Sequence, residues 1–321
     1  MGAYVLLPQI GSLQQSLLVV QHMIWWAVAL AALSQMLSYL GAGYMLHAIL
    51  DIKHQKLPTW KGALIILGSA SVGLVAGGWV GSAAATHEWI HKDNQNGNAA
   101  AMAGTLPALL DNFVLVVVTL AGVLYLLLVH DLGKAQLIEF GIVLLALILL
   151  AVGWALILRY PQKATRLVTW LAGRWSALRR KPFTPESIIA VVDQFVETWH
   201  SIRKGNWERP MLGAIANLAF DILTVYFLFI AAGHPVSIGI LIAGYGLPFI
   251  LGKMAFMLPG GVGVIEAGMV AIYDSLKVPN AVSVVVILGY RLFSFWPPTL
   301  LGFAVAAYLS GKLPSMKAEP A

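Results

Sequence analysis

The sequence predicts an all-α, polytopic helical membrane protein built from two inverted repeats, each holding a glycine-broken re-entrant hairpin. Three observations carry this. Of 321 residues, 59% are hydrophobic and 11% charged, against roughly 25% charged in soluble domains, and the mean hydropathy is +0.81. Apolar runs of about 20 residues or more recur, each long enough to cross roughly 30 Å of hydrocarbon as a helix, whereas barrel strands would be short and alternating. Finally, a glycine cluster interrupts an apolar stretch twice, in similar surroundings.

The first span runs from about Ile24 to Leu50, with Trp25 and Trp26 placed for an interfacial aromatic belt. A polar loop, Asp51 to Lys56, follows. Ala63 to Ala85 is apolar but broken by Gly77, Gly78 and Gly81, which suits a re-entrant segment better than a plain helix. A polar stretch from His87 to Asn98 comes next. Two ordinary spans, Ala99 to Val129 and Leu137 to Leu158, are joined by the turn His130 to Lys134. The chain then leaves the membrane between Arg159 and Pro210, a loop dense in Arg and Lys and therefore cytoplasmic by the positive-inside rule. Within it, Thr184-Pro185-Glu186 starts a helix whose apolar residues, Ile188 to Ile202, repeat at helical spacing. That amphipathic helix lies on the inner leaflet or packs beneath its own bundle. The last third holds a span from Leu212 to Ala232, an apolar stretch from Val236 to Leu258, the break Pro259 to Gly263, a short leg from Val264 to Leu276, and a final long span from about Ala281 to Leu309. Lys312 and Lys317 beyond it favour a cytoplasmic C-terminus.

The chain reads as one integral membrane domain: repeat one over about 24–129, the basic loop with its amphipathic helix over 159–210, and repeat two over about 211–309. Gly77-Gly78 aligns with Gly260-Gly261, Gly81 with Gly263 after a one-residue shift, and Asn98-Ala99 with Asn280-Ala281. If both glycine clusters are hairpin tips that do not cross, about three crossings separate the repeat starts. An odd count inverts the second repeat and leaves both basic loops inside. Inverted repeats with broken helices meeting near the midplane are a recurrent transporter design, since unwound backbone and helix ends offer polar contacts there. The alternative is that the glycines only permit close helix packing.

Ionisable groups in apolar segments cost roughly 2.5–3.5 kcal/mol on insertion scales, so each is a candidate for function. They gather around the second break: Lys253 before it, Glu266 one turn after it, Asp274 near the end of the short leg, and Arg291 in the last span. Asp221 and Asn217, four apart, share a face of the preceding span. One reading has Arg291 or Lys253 holding a lipid phosphate while Glu266 counters the charge or binds an ammonium group; the other has a structural Glu266–Arg291 pair that pins the hairpin. Asp111 and Glu139 are weaker candidates. His47, His87 and His91 lack metal-ligand spacing, the chain has no cysteine, and no P-loop is visible, so no metal, thiol chemistry or nucleotide cofactor is expected. Met1 to Val20 has neither a basic n-region nor an A-x-A site, so no cleavable signal is expected.

The segment Leu258-Pro259-Gly260-Gly261-Val262-Gly263-Val264-Ile265-Glu266-Ala267, followed by Gly289-Tyr290-Arg291-Leu292 and Trp296, resembles the signature of the lysylphosphatidylglycerol synthase transmembrane-region family. The resemblance extends more loosely over residues 10 to 310. It implies a flippase module that moves an aminoacylated phospholipid between leaflets, and it marks Pro259, Gly260, Gly261, Gly263, Glu266 and Arg291 as the site to test. The chain stops near residue 321 without room for the aminoacyl-transferase domain, so it is not expected to make lysyl-phosphatidylglycerol itself. It also starts one span later than is usual in the family.

The leading expectation is a non-enzymatic translocase of the bacterial or archaeal inner membrane. Its cargo would be a membrane lipid: an anionic or aminoacylated phospholipid, or a polyprenyl phosphate. Lys253, Asp221, Gly77, Gly78 and Gly81 join the six signature residues as substrate-binding candidates. Nucleic acid is not an expected partner, and a homo-oligomer is left open. The rivals are an intramembrane transferase with Glu266 or Asp221 as base, and a non-catalytic subunit that anchors a separately encoded lipid-modifying enzyme through the basic loop.

Overall fold

The computed structural model describes residues 16, 18–94, 96–129, 134–160, 166, 169–170, 207–254 and 259–311. Among them there is no strand. The elements are α1 (Trp25–Asp51), α2 (Thr59–Val75), α3 (Trp79–Asn94), α4 (Gly97–Val129), α5 (Lys134–Arg159), α6 (Glu208–Ala231), α7 (Ile238–Met254), a 3₁₀ turn (Pro259–Gly261), α8 (Val264–Ser275), α9 (Asn280–Ser294) and α10 (Trp296–Gly311). Among the described residues, four helical stretches are long and apolar enough to cross a membrane: α1, α4, α6, and α9 with α10 together. The amphipathic helix expected after Thr184, most of the His130 to Lys134 turn, residues 255–258 of the expected Val236 to Leu258 stretch, and the terminal lysines lie outside the described residues.

Helices α1 and α6 run antiparallel along their whole length. The Ile24 N–H, left over at the start of α1, donates to the Ala231 carbonyl at the end of α6 (2.9 Å). Further along, Thr224 Oγ1 donates to the Ala31 carbonyl (3.4 Å) and Ser38 Oγ to Asn217 Oδ1 (2.8 Å). At the far end Arg209 Nη1 meets Asp51 Oδ2 at 3.1 Å. Glycine makes this approach close enough for backbone contact: a Cβ on Gly213 would lie 2.6 Å from Met45 N and Cα, and one on Gly41 2.7 Å from Asn217 N. Small residues drive helix association in lipid by this route, because apolar side chains gain nothing by leaving apolar tails. Gly213→Leu is therefore expected to destabilise the protein by about 3 kcal/mol or more, since backbone cannot yield as a side chain can. Thermal unfolding in nanodiscs, with Leu212→Ala on the exposed face as control, checks this.

The glycine clusters are hairpin tips. α2 packs on α3, and α7 on α8. At 17 residues each, α2 and α7 span about 25 Å, short of a hydrocarbon core unless extended. Gly77 and Gly78 have φ of +86° and +70°, and Gly260, Gly261 and Gly263 have +64°, +64° and +88°, a region L-residues with a Cβ rarely enter. The two halves also exchange partners: α7 packs on α4, while α10 packs on α2.

The structure differs from the sequence reading in three places. Most of the polar stretch after Ala85 continues α3 as far as Asn94, because Trp89 and Ile90 are buried and Lys61–Asp93 and Lys92–Glu88 pair its charges. Gly81 lies inside α3 with no positive φ, whereas Gly263 precedes α8, so the two are not conformational equivalents. The final span is not one helix. Pro297 and Pro298 carry no N–H, which leaves the Phe293 and Ser294 carbonyls without their helical donors, and the chain breaks at Phe295 (φ −125°, ψ −63°). The Tyr39 hydroxyl donates to the stranded Ser294 carbonyl at 2.8 Å.

A polar cluster beside the second hairpin tip

The last turn of α2, the second hairpin tip and the α9–α10 break converge. A Cβ on Gly260 would fall 2.5 Å from Phe295 Cε2 and 3.1 Å from Leu74 Cδ2. Arg291 is the twelfth residue of α9 and Asp221 the fourteenth of α6. At 1.5 Å per residue both lie on the order of 15–20 Å from the helix start, a distance comparable to half of a roughly 30 Å hydrocarbon core.

Arg291 is 4% exposed. Its guanidinium carbon lies 5.3 Å from the Phe295 ring centre and 5.7 Å from that of Phe249. Nε stands 2.6 Å from Glu266 Oε1, so the pair expected from the sequence forms. It is a charge contact more than a hydrogen bond, for neither Nε nor Nη2 finds a hydrogen-bond partner among the described residues. Glu266 is committed on its other side: Oε2 accepts the Gly263 N–H at 2.6 Å, closing the start of α8. A carboxylate at a helix N-terminus also meets the positive end of the dipole. Arg291 thus keeps buried donors that a phosphate oxygen fits.

Asp221 takes no part in that pair. Its Oδ2 accepts hydrogen bonds from the Tyr245 hydroxyl and from the Tyr290 hydroxyl, the latter at 2.7 Å. Asn217, one turn away, bonds Ser38 and donates to Asp111 Oδ1 at 3.4 Å. Lys253 donates to Asn112 Oδ1 at 2.5 Å, and its charge faces Asp111. Sequence reasoning missed Asn112, Phe249 and the tyrosines. The spacing Tyr245, Phe249, Lys253 was the available signal: at i, i+4 and i+8 they share one face of α7, and Tyr245 and Phe249 stack at 4.4 Å. Asp274 lies exposed near the end of α8, away from the cluster. Gly77 and Gly78 form the exposed first tip, where a Cβ would meet nothing within 4 Å. Pro259 opens the second tip's turn. The side chain of Glu139 lies outside the described residues. Among those residues no group of three His, Asp or Glu side chains could hold a metal ion.

The second tip, its glutamate and the paired arginine fall within a match to the Lysylphosphatidylglycerol synthase TM region family that covers residues 2–302. The chain belongs to that family. A UPF0104 membrane protein of Pyrococcus horikoshii is 27% identical over 71% of this chain and 70% of its own length. One from Methanocaldococcus jannaschii is 24% identical over 41% and 40%, and one from Methanothermobacter thermautotrophicus 29% identical over 29% and 27%. The last two alignments thus span less than half of those relatives. All three carry the description of a membrane protein, in agreement with the apolar helices.

Proposed function

We propose that this family member is a lipid translocase. It moves an anionic or aminoacylated phospholipid, or a polyprenyl phosphate, between leaflets of the cytoplasmic membrane without chemically altering it. The observation that carries the reading is Arg291: a buried guanidinium with donors unspent among the described residues, lying against two aromatic rings beside the second hairpin tip. Burying such donors is costly unless something supplies acceptors, and a phosphate does. The antiparallel α1–α6 pair and the crosswise packing of α4 on α7 and α2 on α10 support reading the halves as inverted repeats that rock against each other around this cluster. A cytoplasmic C-terminus follows from the same topology.

The test is translocation in proteoliposomes of labelled anionic, aminoacylated and zwitterionic phospholipids. Anionic or aminoacylated lipid should cross faster than the zwitterionic lipid and faster than in protein-free vesicles. Equal rates in all three cases, with protein shown to be folded, would sink the proposal.

A further inference from the structure

We propose that Asp221 is a proton-binding site, and that its proton is the driving ion for lipid movement; the second half of this rests on the translocase reading. Around the tips and the middle of the spans the described side chains include three acids, Asp111, Asp221 and Glu266, and two bases, Lys253 and Arg291. Glu266 has Arg291 and Asp111 has Lys253. Asp221 is left without a cation of its own, and an unmatched carboxylate at this depth either binds a cation or carries a proton.

The groups facing it decide between the two. From α1 come Gln35 and Tyr39, from α4 Asp111, from α7 Tyr245, and from α9 Tyr290 and Arg291. Both nearest hydroxyls spend their hydrogens on Oδ2, so the shell presents hydrogen donors where a metal cation needs free lone pairs. Gln35 directs its amide N–H at the carboxyl, is 5% exposed, and its Oε1 is a buried acceptor with no donor among the described residues. A proton taken from water onto Asp221 Oδ1 makes that oxygen a donor to Gln35 Oε1 once the amide turns over and withdraws its N–H, while Oδ2 keeps both tyrosines. Protonation therefore exchanges one hydrogen bond with Gln35 for another and removes one negative charge from beside Tyr290, the residue next to Arg291. That hands part of the field at Arg291 from Asp221 to an incoming phosphate, which couples the proton to the headgroup.

Infrared difference spectra of the full-length protein in nanodiscs, recorded as the pH is stepped, test the site without any lipid assay. A carboxylic C=O band should grow as the pH falls, disappear in Asp221→Asn and persist in Asp111→Asn. In Tyr245→Phe, which keeps the ring and its packing, the band should move to higher wavenumber because the carbonyl loses one hydrogen bond. A band that survives in Asp221→Asn, or one that answers to sodium and not to pH, overturns the proton site. The coupling is read in proteoliposomes, where an imposed pH gradient should accelerate native translocation several-fold; lipid movement indifferent to the gradient overturns it. A titrating Asp221 band in protein that moves no lipid upholds the site and rejects the translocase.

Discussion

Arg291→Ala is expected to abolish lipid translocation, and Glu266→Gln to weaken it by a smaller factor. The arginine supplies the donors, while the glutamate holds them in place through Oε1 and fixes the hairpin through the Gly263 N–H. One charge-assisted hydrogen bond is worth about 1.5–3 kcal/mol, or roughly 10- to 100-fold in rate, and a bound phosphate would use more than one. Arg291→Lys keeps the charge but not the planar fork, so it should recover little. The rival account, in which the pair only pins the hairpin, predicts a different pattern. Breaking a buried pair by removing one partner costs about 3–5 kcal/mol because the other charge is stranded, whereas replacing both with apolar groups of similar size is often neutral. The double variant Glu266→Leu/Arg291→Met should therefore regain much of the thermal stability lost in Arg291→Ala. If its translocation returns with its stability, the pair is a pin and the headgroup site lies elsewhere. Stable protein that still moves no lipid assigns the donors to the cargo.

The helical membrane class was legible because its signals are additive: each span is a long apolar run, and no tertiary contact is needed to recognise it. The hairpin tips were legible too, since Gly77, Gly78, Gly260, Gly261 and Gly263 all adopt the positive φ that makes glycine informative. Pairing Gly81 with Gly263 failed because counting glycines does not separate one that bends the chain from one that lets helices touch. The break at Phe295 was written in Pro297 and Pro298, whose missing N–H groups strand two carbonyls, but the surrounding hydropathy concealed it. Glu266 and Arg291 could be matched from sequence because charges in apolar segments seek partners. The environment of Asp221 could not, for it takes tyrosines from two other helices. Tyrosine in a membrane span also reads first as packing or as an interfacial anchor. Its role as a donor follows only from which helices touch.

Gly260→Ala should do far more damage than Gly77→Ala, although both replace a hairpin-tip glycine of positive φ. Placing an L-residue in the left-handed region costs about 1–2 kcal/mol, and that cost applies at both sites. At Gly77 a Cβ enters open space, so the strain is the whole effect. At Gly260 it would also lie 2.5 Å from Phe295 Cε2 and 3.1 Å from Leu74 Cδ2. Phe295 must then move, and its ring is one of the two that hold the Arg291 guanidinium. The first substitution should lower the thermal midpoint by what strain alone predicts. The second should lower it further and reduce translocation beyond what the folded fraction accounts for. Adding Phe295→Ala to Gly260→Ala separates the contributions: removing the ring relieves the clash and returns part of the stability, yet it also removes a wall of the arginine site, so transport should stay low. Equal losses in the two single variants would mean that the tip does not bear on Arg291 through Phe295. The two hairpins would then be doing the same mechanical task.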